Sequence, residues 1–309
     1  MPWIALFPGQ GSQHSGMGKS WFDDFALVRE LFELASDTIH INFKRLCFDA
    51  PESELTQTKN TQPALLLVSY AGFAILKREL GFSPLASAGH SLGEYTALCS
   101  ADALDFPNAI RTTRLRGEAM ARAGKKAEAG MLALLGVTKE EAEEICQQAK
   151  NSDVLVPANF NAPGQIVISG HKNAIERAKE LAKEKKKRAI PLKVSGAFHS
   201  PLMEDAKKEL EEFLKQIKFH EFKFPVISNL EAKPYPNPES APRILAEQVI
   251  SPVRWEDSVK YLAEMKPEGF IEIGPGKVLA GLVKRIVPEI PVVNFSETKD
   301  LEELEKLLK

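Results

Sequence analysis

The pentapeptide Gly89-His90-Ser91-Leu92-Gly93 constrains the fold of this chain more than any other segment. A short apolar run at residues 85–88 precedes it and a helical pattern at 94–100 follows. G-x-S-x-G between a strand and a helix is the pattern of a nucleophile elbow, a strained turn that small flanking residues permit. Such a turn presents the Ser91 Oγ at a helix N-terminus and points the Leu92 backbone N–H where an oxyanion forms. The competing interpretation is an ordinary glycine-flanked turn. The surrounding rhythm favours the elbow. Residues 3–7 form a buried strand that enters the Gly-rich loop Pro8-Gly9-Gln10-Gly11-Ser12-Gln13, and spacing predicts helices over 21–36, 63–80 and 108–123. This alternation predicts parallel β-structure covered by helices.

The middle of the chain changes rhythm. Residues 131–136 read as a strand, and Thr138 with Glu141 has the form of a capping box that opens a helix to residue 150. Strands at 154–159 and 165–169 flank Ala162-Pro163-Gly164, and a charged helix at 172–185 precedes a strand at 188–194. The order βαββαβ is the ferredoxin-like unit. It predicts a small subdomain at 125–196 inserted into a larger α/β domain made of 1–124 and 197–309. Beyond it, the pattern predicts a helix over 201–217, a strand at 225–228, a loop at 234–242 holding four prolines, helices over 244–250 and 252–262, a strand at 270–273 and a helix ending at 286.

Charge and cysteines narrow the classes. Lys plus Arg number 40 and Asp plus Glu 42, so the chain lacks the broad positive field of non-specific nucleic-acid binders. Three widely spaced cysteines exclude a disulfide framework and a CxxC zinc site. The longest apolar stretch, 63–76, is too short to span a bilayer, and the N-terminus has no secretory pattern. The expectation is a reduced, cytoplasmic protein with no membrane partner.

A serine nucleophile needs a base. Among six histidines, His90 is adjacent to Ser91, and successive elbow side chains diverge. His40 reads as surface or core, His220 as a strand-face residue, His171 as a helix cap and His14 as a loop residue. His199 lies where the chain leaves the small subdomain, and domain junctions are where clefts form; a plain N-terminal helix residue is the equal alternative. Arg116 shares a predicted helix with Arg111, Arg114 and Arg122, mostly a solvated face. Yet Gly117 beside it costs about 1 kcal/mol against Ala in a helix interior. Close approach of another backbone or of a ligand would explain it, and an Arg there could clamp a carboxylate bidentately. The first loop fails the dinucleotide fingerprint at His14 and the P-loop at Gln13. What remains for it is to offer a second oxyanion N–H, from Gln10. The basic run Lys183 to Arg188 suits a helix C-terminus better than a docking site. No cluster has metal-ligand spacing.

Together, FPGQGSQ (7–13), GMG (16–18), TQPALL (61–66), GHSLGEY (89–95), RGEAM (116–120), GMLALLG (130–136), NFNAPGQIVISG (159–170), GAFHSPLM (196–203), SPVRWEDSV (251–259) and EIGPGKVLAGL (272–282) resemble the malonyl-CoA:acyl carrier protein transacylase family, in family order over nearly the whole chain. The resemblance implies an α/β-hydrolase-like large domain with an inserted ferredoxin-like small subdomain. It implies Ser91 as the acyl-accepting nucleophile, His199 as general base and acid, and Arg116 as binder of the malonyl carboxylate. The backbone N–H groups of Gln10 and Leu92 become the oxyanion hole, a backbone carbonyl near Gln248 orients His199, and Asn161 lines the cleft near that histidine. Phe198 would crowd an α-methyl group, as in malonyl-selecting members. The implied partners are malonyl-CoA and acyl carrier protein, in ping-pong transfer that feeds fatty-acid elongation, with a monomeric enzyme and no bound cofactor. A serine hydrolase is the nearest rival reading, and it has no need of Arg116. A binding module without enzymatic activity is the other rival, and it would leave Ser91 unlabelled by malonyl-CoA.

Overall fold

The computed structural model describes residues 2–126 and 128–308. Its strands, in chain order, are β1 (Trp3–Phe7), β2 (Ala86–Gly89), β3 (Ala129–Leu135), β4 (Leu155–Ala162), β5 (Gln165–His171), β6 (Arg188–Pro191), β7 (Val226–Ile227), β8 (Gly269–Ile273) and β9 (Val292–Phe295). They form two sheets. One has the order β7-β2-β1-β8-β9 with every pairing parallel; the other has the order β4-β5-β3-β6 with every pairing antiparallel.

All five side chains of β1 are buried, because a parallel sheet is covered on both faces. Alternation divides them. Trp3, Ala5 and Phe7 pack into the core built on helices Ala26–Ile39, Thr58–Leu80 and Phe106–Lys126. Ile4 and Leu6 pack on the opposite face with residues of Trp255–Glu264 and Val278–Ile286. The β1–β2 register sets Phe7 opposite Gly89. The first Gly-rich loop and the Ser91 turn therefore leave the sheet side by side at its carboxyl edge, where open α/β sheets bind ligands.

Helix Thr58–Leu80 begins five residues before the expected start and carries Pro63 within it. A proline cannot donate to the carbonyl four residues back, and here Arg114 Nη1 donates to that Lys59 carbonyl at 3.1 Å. The adjacent helix approaches closely: a Cβ on Gly117 would lie 2.7 Å from the Thr58 carbonyl oxygen. A neighbouring backbone, not a ligand, accounts for that glycine.

The antiparallel sheet carries the expected βαββαβ order, with helices Lys139–Lys150 and Lys172–Glu184. Both halves of the Thr138–Glu141 capping box are present. Leu132, Leu134, Ile166 and Ile168 face those helices, whereas Met131, Ala133 and Val167 join the main core. β4 is stitched to the segment before Trp255: Phe160 N–H donates to the Val253 carbonyl at 2.9 Å and Val253 N–H to the Ala158 carbonyl at 2.8 Å.

Several expectations are corrected. The 21–36 helix is two helices, Lys19–Asp24 and Ala26–Ile39, parted by an extended Phe25. The last small-sheet strand ends at Pro191, and 201–217 is a 3-10 turn at Pro201–Met203 followed by helix Glu204–Leu214. The proline-rich 234–242 segment is not all loop. It holds a 3-10 turn at Pro238–Ser240, and helix Ala241–Gln248 takes Pro242 in its first turn, where no N–H is needed. His220 lies on no strand; its N–H reaches the Ala103 carbonyl at 2.9 Å. β9 and helix Leu301–Leu308 close the chain where the sequence pattern had offered no element. Of the expected division, Met1, Ala127 and Lys309 lie outside the described residues.

Candidate active site

Ser91 follows β2 at φ 50°, a left-handed backbone that a non-glycine residue adopts at a cost of order 1–3 kcal/mol. The flanking glycines make the turn possible. A Cβ on Gly89 would lie 1.9 Å from the Gly93 carbonyl carbon, and one on Gly93 would lie 2.1 Å from the Phe7 carbonyl oxygen. Within the turn, His90 N–H donates to Phe7, Gly93 N–H to His90 and Glu94 N–H to Ser91; the Leu92 N–H is in none of these bonds. Ser91 N–H donates to Asn229 Oδ1 at 2.6 Å, and Asn229 Nδ2 donates to the Gly89 carbonyl at 2.7 Å.

His199 is brought to this turn from 108 residues away, its Nε2 2.8 Å from the Ser91 Oγ. It too has a positive φ, 57°. Its Nδ1 lies 2.9 Å from the Gln248 carbonyl oxygen. A carbonyl only accepts, so Nδ1 carries the proton and Nε2 is left to accept from the serine hydroxyl. Burial, then the nearby Arg116 charge, pushes the His199 pKa down to about 3, so the ring is neutral at physiological pH.

Arg116 is 1% exposed. Its Nη1 donates to Gln62 Oε1 at 2.8 Å, and its Nη2 to Gln248 Oε1 at 2.9 Å and to Ser91 Oγ at 3.0 Å. The guanidinium stands 5.4 Å from the Tyr95 ring centre. Its Nε has no partner, and among the described residues no carboxylate pairs with it. Its direct partners are neutral amides and a hydroxyl, and the buried carboxylate of Glu94 acts on it only across Gln248, so no carboxylate meets the guanidinium itself.

Gln10 follows β1 by three residues, on the loop beside the elbow. Its side chain reaches Thr58 Oγ1 at 3.4 Å, and Thr58 in turn lies 3.1 Å from Ser195 Oγ. A cavity of about 670 Å³ opens next to this chain of contacts, lined by Lys59, Arg122 and Lys125 among others.

The family comparisons agree with this geometry. The acyl transferase domain family matches residues 4–301. A malonyl CoA-acyl carrier protein transacylase of Bacillus subtilis (strain 168) is 44% identical over 96% of this chain and 94% of its own length. One from Staphylococcus aureus (strain COL) is 38% identical over 96% of each. The chain belongs to the malonyl CoA-acyl carrier protein transacylase family. It is an acyltransferase. An acyl carrier protein S-malonyltransferase from Vibrio cholerae shares the fold at a TM-score of 0.95 and 39% identity, covering 98% of this chain and all of that one. A malonyl-transacylase solved in complex with its type II PKS acyl-carrier protein matches at 0.96 and 37% identity, over 99% of this chain and 100% of that one.

The transacylase fold thus brings Ser91, His199, Arg116 and Gln248 into direct contact and sets Leu92 and Gln10 on the two loops beside them. Asn161 is placed differently. Its Oδ1 lies 2.8 Å from His90 Nε2, the histidine beside the nucleophile, rather than on His199. The other histidines stay apart: His14 and His220 are exposed, and His40 ends helix Ala26–Ile39. His171 occupies a helix N-cap position without capping, since its Nδ1 accepts from Val154 N–H at 3.0 Å. The basic run is tied to its own subdomain through Lys185–Glu144 at 3.0 Å and Lys187–Glu141 at 2.8 Å. Among the described residues no group of His, Cys, Asp or Glu is placed to hold a metal, and no helix is long and apolar enough to cross a membrane.

Sequence reasoning missed Asn229, Gln62, Tyr235 and Glu94. Gln62 and Glu94 lie inside the stretches TQPALL and GHSLGEY, and Glu94 left a further signal. It is a charged residue on the first turn after the elbow, in a helix whose other residues are small, apolar or hydroxylated, and every residue of Gly93–Ser100 is buried.

Proposed function

We infer that this transacylase moves a malonyl group from malonyl-CoA to the phosphopantetheine thiol of acyl carrier protein through Ser91, supplying fatty-acid elongation. His199 Nε2 takes the hydroxyl proton as Ser91 Oγ attacks the thioester carbonyl. The Gln248 carbonyl stabilises the imidazolium that forms, in the place a carboxylate takes in a triad. The Leu92 and Gln10 N–H groups receive the oxyanion. Collapse expels the CoA thiolate, which recovers the proton from His199. The carrier thiol then gives its proton to His199 and attacks malonyl-Ser91; the bond between Ser91 Oγ and the acyl carbon breaks, Oγ recovers the proton from His199, and the carrier leaves as the malonyl thioester. Coenzyme A and the carrier act as substrates, and the steps need no bound cofactor.

The observation that carries the malonyl reading is Arg116, buried with no carboxylate in direct contact and 3.0 Å from the nucleophile. The free carboxylate of malonyl stands one methylene from the reacting carbonyl, so a cation this close to Ser91 is within its reach. An ester hydrolase would carry the desolvation cost of this charge for no gain. We assign residues 1–124 and 197–309 to the catalytic domain and 125–196 to a subdomain that walls the cleft. Lys59 and Lys125 support entry of the anionic CoA and carrier from their side. Intact mass after mixing with malonyl-CoA, with and without holo-acyl carrier protein, tests the assignment. A malonyl adduct on Ser91 that passes to the carrier is expected. An adduct lost at equal rate to water would make the protein a hydrolase.

A further inference from the structure

Glu94 is wholly buried one turn beyond the nucleophile, and three donors converge on it. Gln248 Nε2 donates to its Oε2 at 2.6 Å, Asn229 N–H to the same oxygen at 3.0 Å, and the Tyr235 hydroxyl to Oε1. Two of these donors are branch points. Gln248 accepts from Arg116 on its side chain, accepts from His199 on its carbonyl, and donates to the Ser91 carbonyl at 3.0 Å. Asn229 accepts the Ser91 N–H and donates to Gly89, bracing the elbow from the other side. Each reactive group is therefore one residue removed from the same carboxylate.

We propose that Glu94 is a positioning residue of the transfer: its ionised carboxylate holds Gln248 and Asn229, and through them sets Ser91, His199 and Arg116 in register. The proposal rests on the transacylase reading of this site. Two N–H donors and a hydroxyl suit the ionised carboxylate best, since it accepts from all three at once at full strength. Both fixed N–H donors meet Oε2, so a proton fits only on Oε1, where the Tyr235 hydroxyl can turn to accept it; Oε2 then holds Gln248 Nε2 and Asn229 N–H more weakly, and the Gln248 amide that binds Arg116 and the Ser91 carbonyl is loosened. The groups facing Glu94 are Arg116 from helix Phe106–Lys126, Tyr235 from the segment after β7, Tyr95 beside it, and His199 across Gln248. Burial pushes the Glu94 pKa up to about 7, against the pull of the three donors and of Arg116. The positioning network is thus switched by protons near neutrality, while His199 titrates far lower.

The test compares the full-length protein with Glu94→Gln and Tyr235→Phe, using malonyl-CoA and acetyl-CoA with holo-acyl carrier protein across about pH 5.5 to 8.5. In the wild type, kcat should fall as pH drops through about 7. Glu94→Gln should lower kcat about 10- to 100-fold on both substrates, the scale of a small misplacement of reacting groups, and should lose that acid limb. Tyr235→Phe removes one donor to the charged form and should move the limb up by about one pH unit. It keeps the proposal testable should Glu94→Gln fail to fold. A limb unmoved in both variants, or a Glu94→Gln effect confined to KM, would overturn the positioning role. A wild type that forms no malonyl-Ser91 adduct would instead sink the transacylase reading itself.

Discussion

The two sheets obey different rules. In the antiparallel one, local chemistry and structure largely agree: side chains alternate along β3 and β5, the capping box is complete, and a two-residue link at Pro163-Gly164 joins β4 and β5, although β4 itself is bulged. At the carboxyl edge of the parallel sheet local rules are broken repeatedly. Arg116 and Glu94 are charged yet wholly buried, Arg116 Nε is unpartnered, and the left-handed backbones of Ser91 and His199 fall on the reacting residues themselves, whereas those of Asn151 and Lys186 in the other unit fall at helix ends. Each exception costs stability where it stands, and consistent structure elsewhere offsets it. The contrast teaches where to look for chemistry: at the concentration of exceptions, here within contact distance of one serine.

The comparison can be broken most directly at its centre. Ser91→Ala should abolish the malonyl adduct in intact-mass measurements, because among the described residues no second hydroxyl contacts His199 Nε2. An adduct of unchanged yield would move the nucleophile elsewhere. His199→Ala should slow acylation by about two to four orders of magnitude, measured by single-turnover kinetics. Near-normal acylation would mean another base serves Ser91.

Arg116→Ala sharpens the contrast between chemistry and recognition. Removing one partner of a buried ion pair costs about 2–5 kcal/mol, so malonyl-CoA kcat/KM should fall roughly 30- to several-thousand-fold. Acetyl-CoA has no carboxylate to lose and should be affected little. Equal losses on both substrates would mean that Arg116 serves the Ser91 hydroxyl and Gln248 rather than the malonyl carboxylate. Its partner Gln62 holds only one of its arms, and Gln62→Ala should show the same bias more weakly.

A thermodynamic contrast follows from His199. Its folded pKa, about 3, lies below its ordinary value of 6.5, so the unfolded chain binds the extra proton between those limits. Stability supplied by this group is complete above about pH 6.5 and falls as pH drops towards 3. Replacing it with Asn should remove that sensitivity. Relative to wild type, the variant should gain about 2 kcal/mol between pH 8 and pH 5, read from urea unfolding at both values. The smallest effect belongs to the regular sheet. Thr138→Ala breaks the capping box and should cost about 1 kcal/mol in unfolding free energy, with kcat unchanged. A change in kcat would mean that strain at this cap reaches the site through Met131, Ala133 and Val167, which pack into the main core.

Some of this molecule was legible in one dimension. The elbow could be read because steric demands at Gly89 and Gly93 are met within five residues, and the βαββαβ unit because its periodicities and its cap are local. The strand Trp3–Phe7 could be read because burial on both faces leaves a continuous apolar run. Helix ends near prolines were harder to read. Pro63 and Pro242 sit inside helices, and what permits this is an Arg114 side chain from another helix in the first case and a first-turn position in the second. The partnerships of the site belonged to the tertiary structure alone. Ser91 meets His199, Asn229 and Gln248 across 108, 138 and 157 residues, and Glu94 meets Tyr235 across 141. No spacing rule carries such distances. They depend on the strand order β7-β2-β1-β8-β9, which sets the end of β7 beside the elbow and so brings Asn229 to Ser91. A hydrogen bond needs atoms within about 3 Å, and only the packed chain decides which of several equally polar residues arrive there.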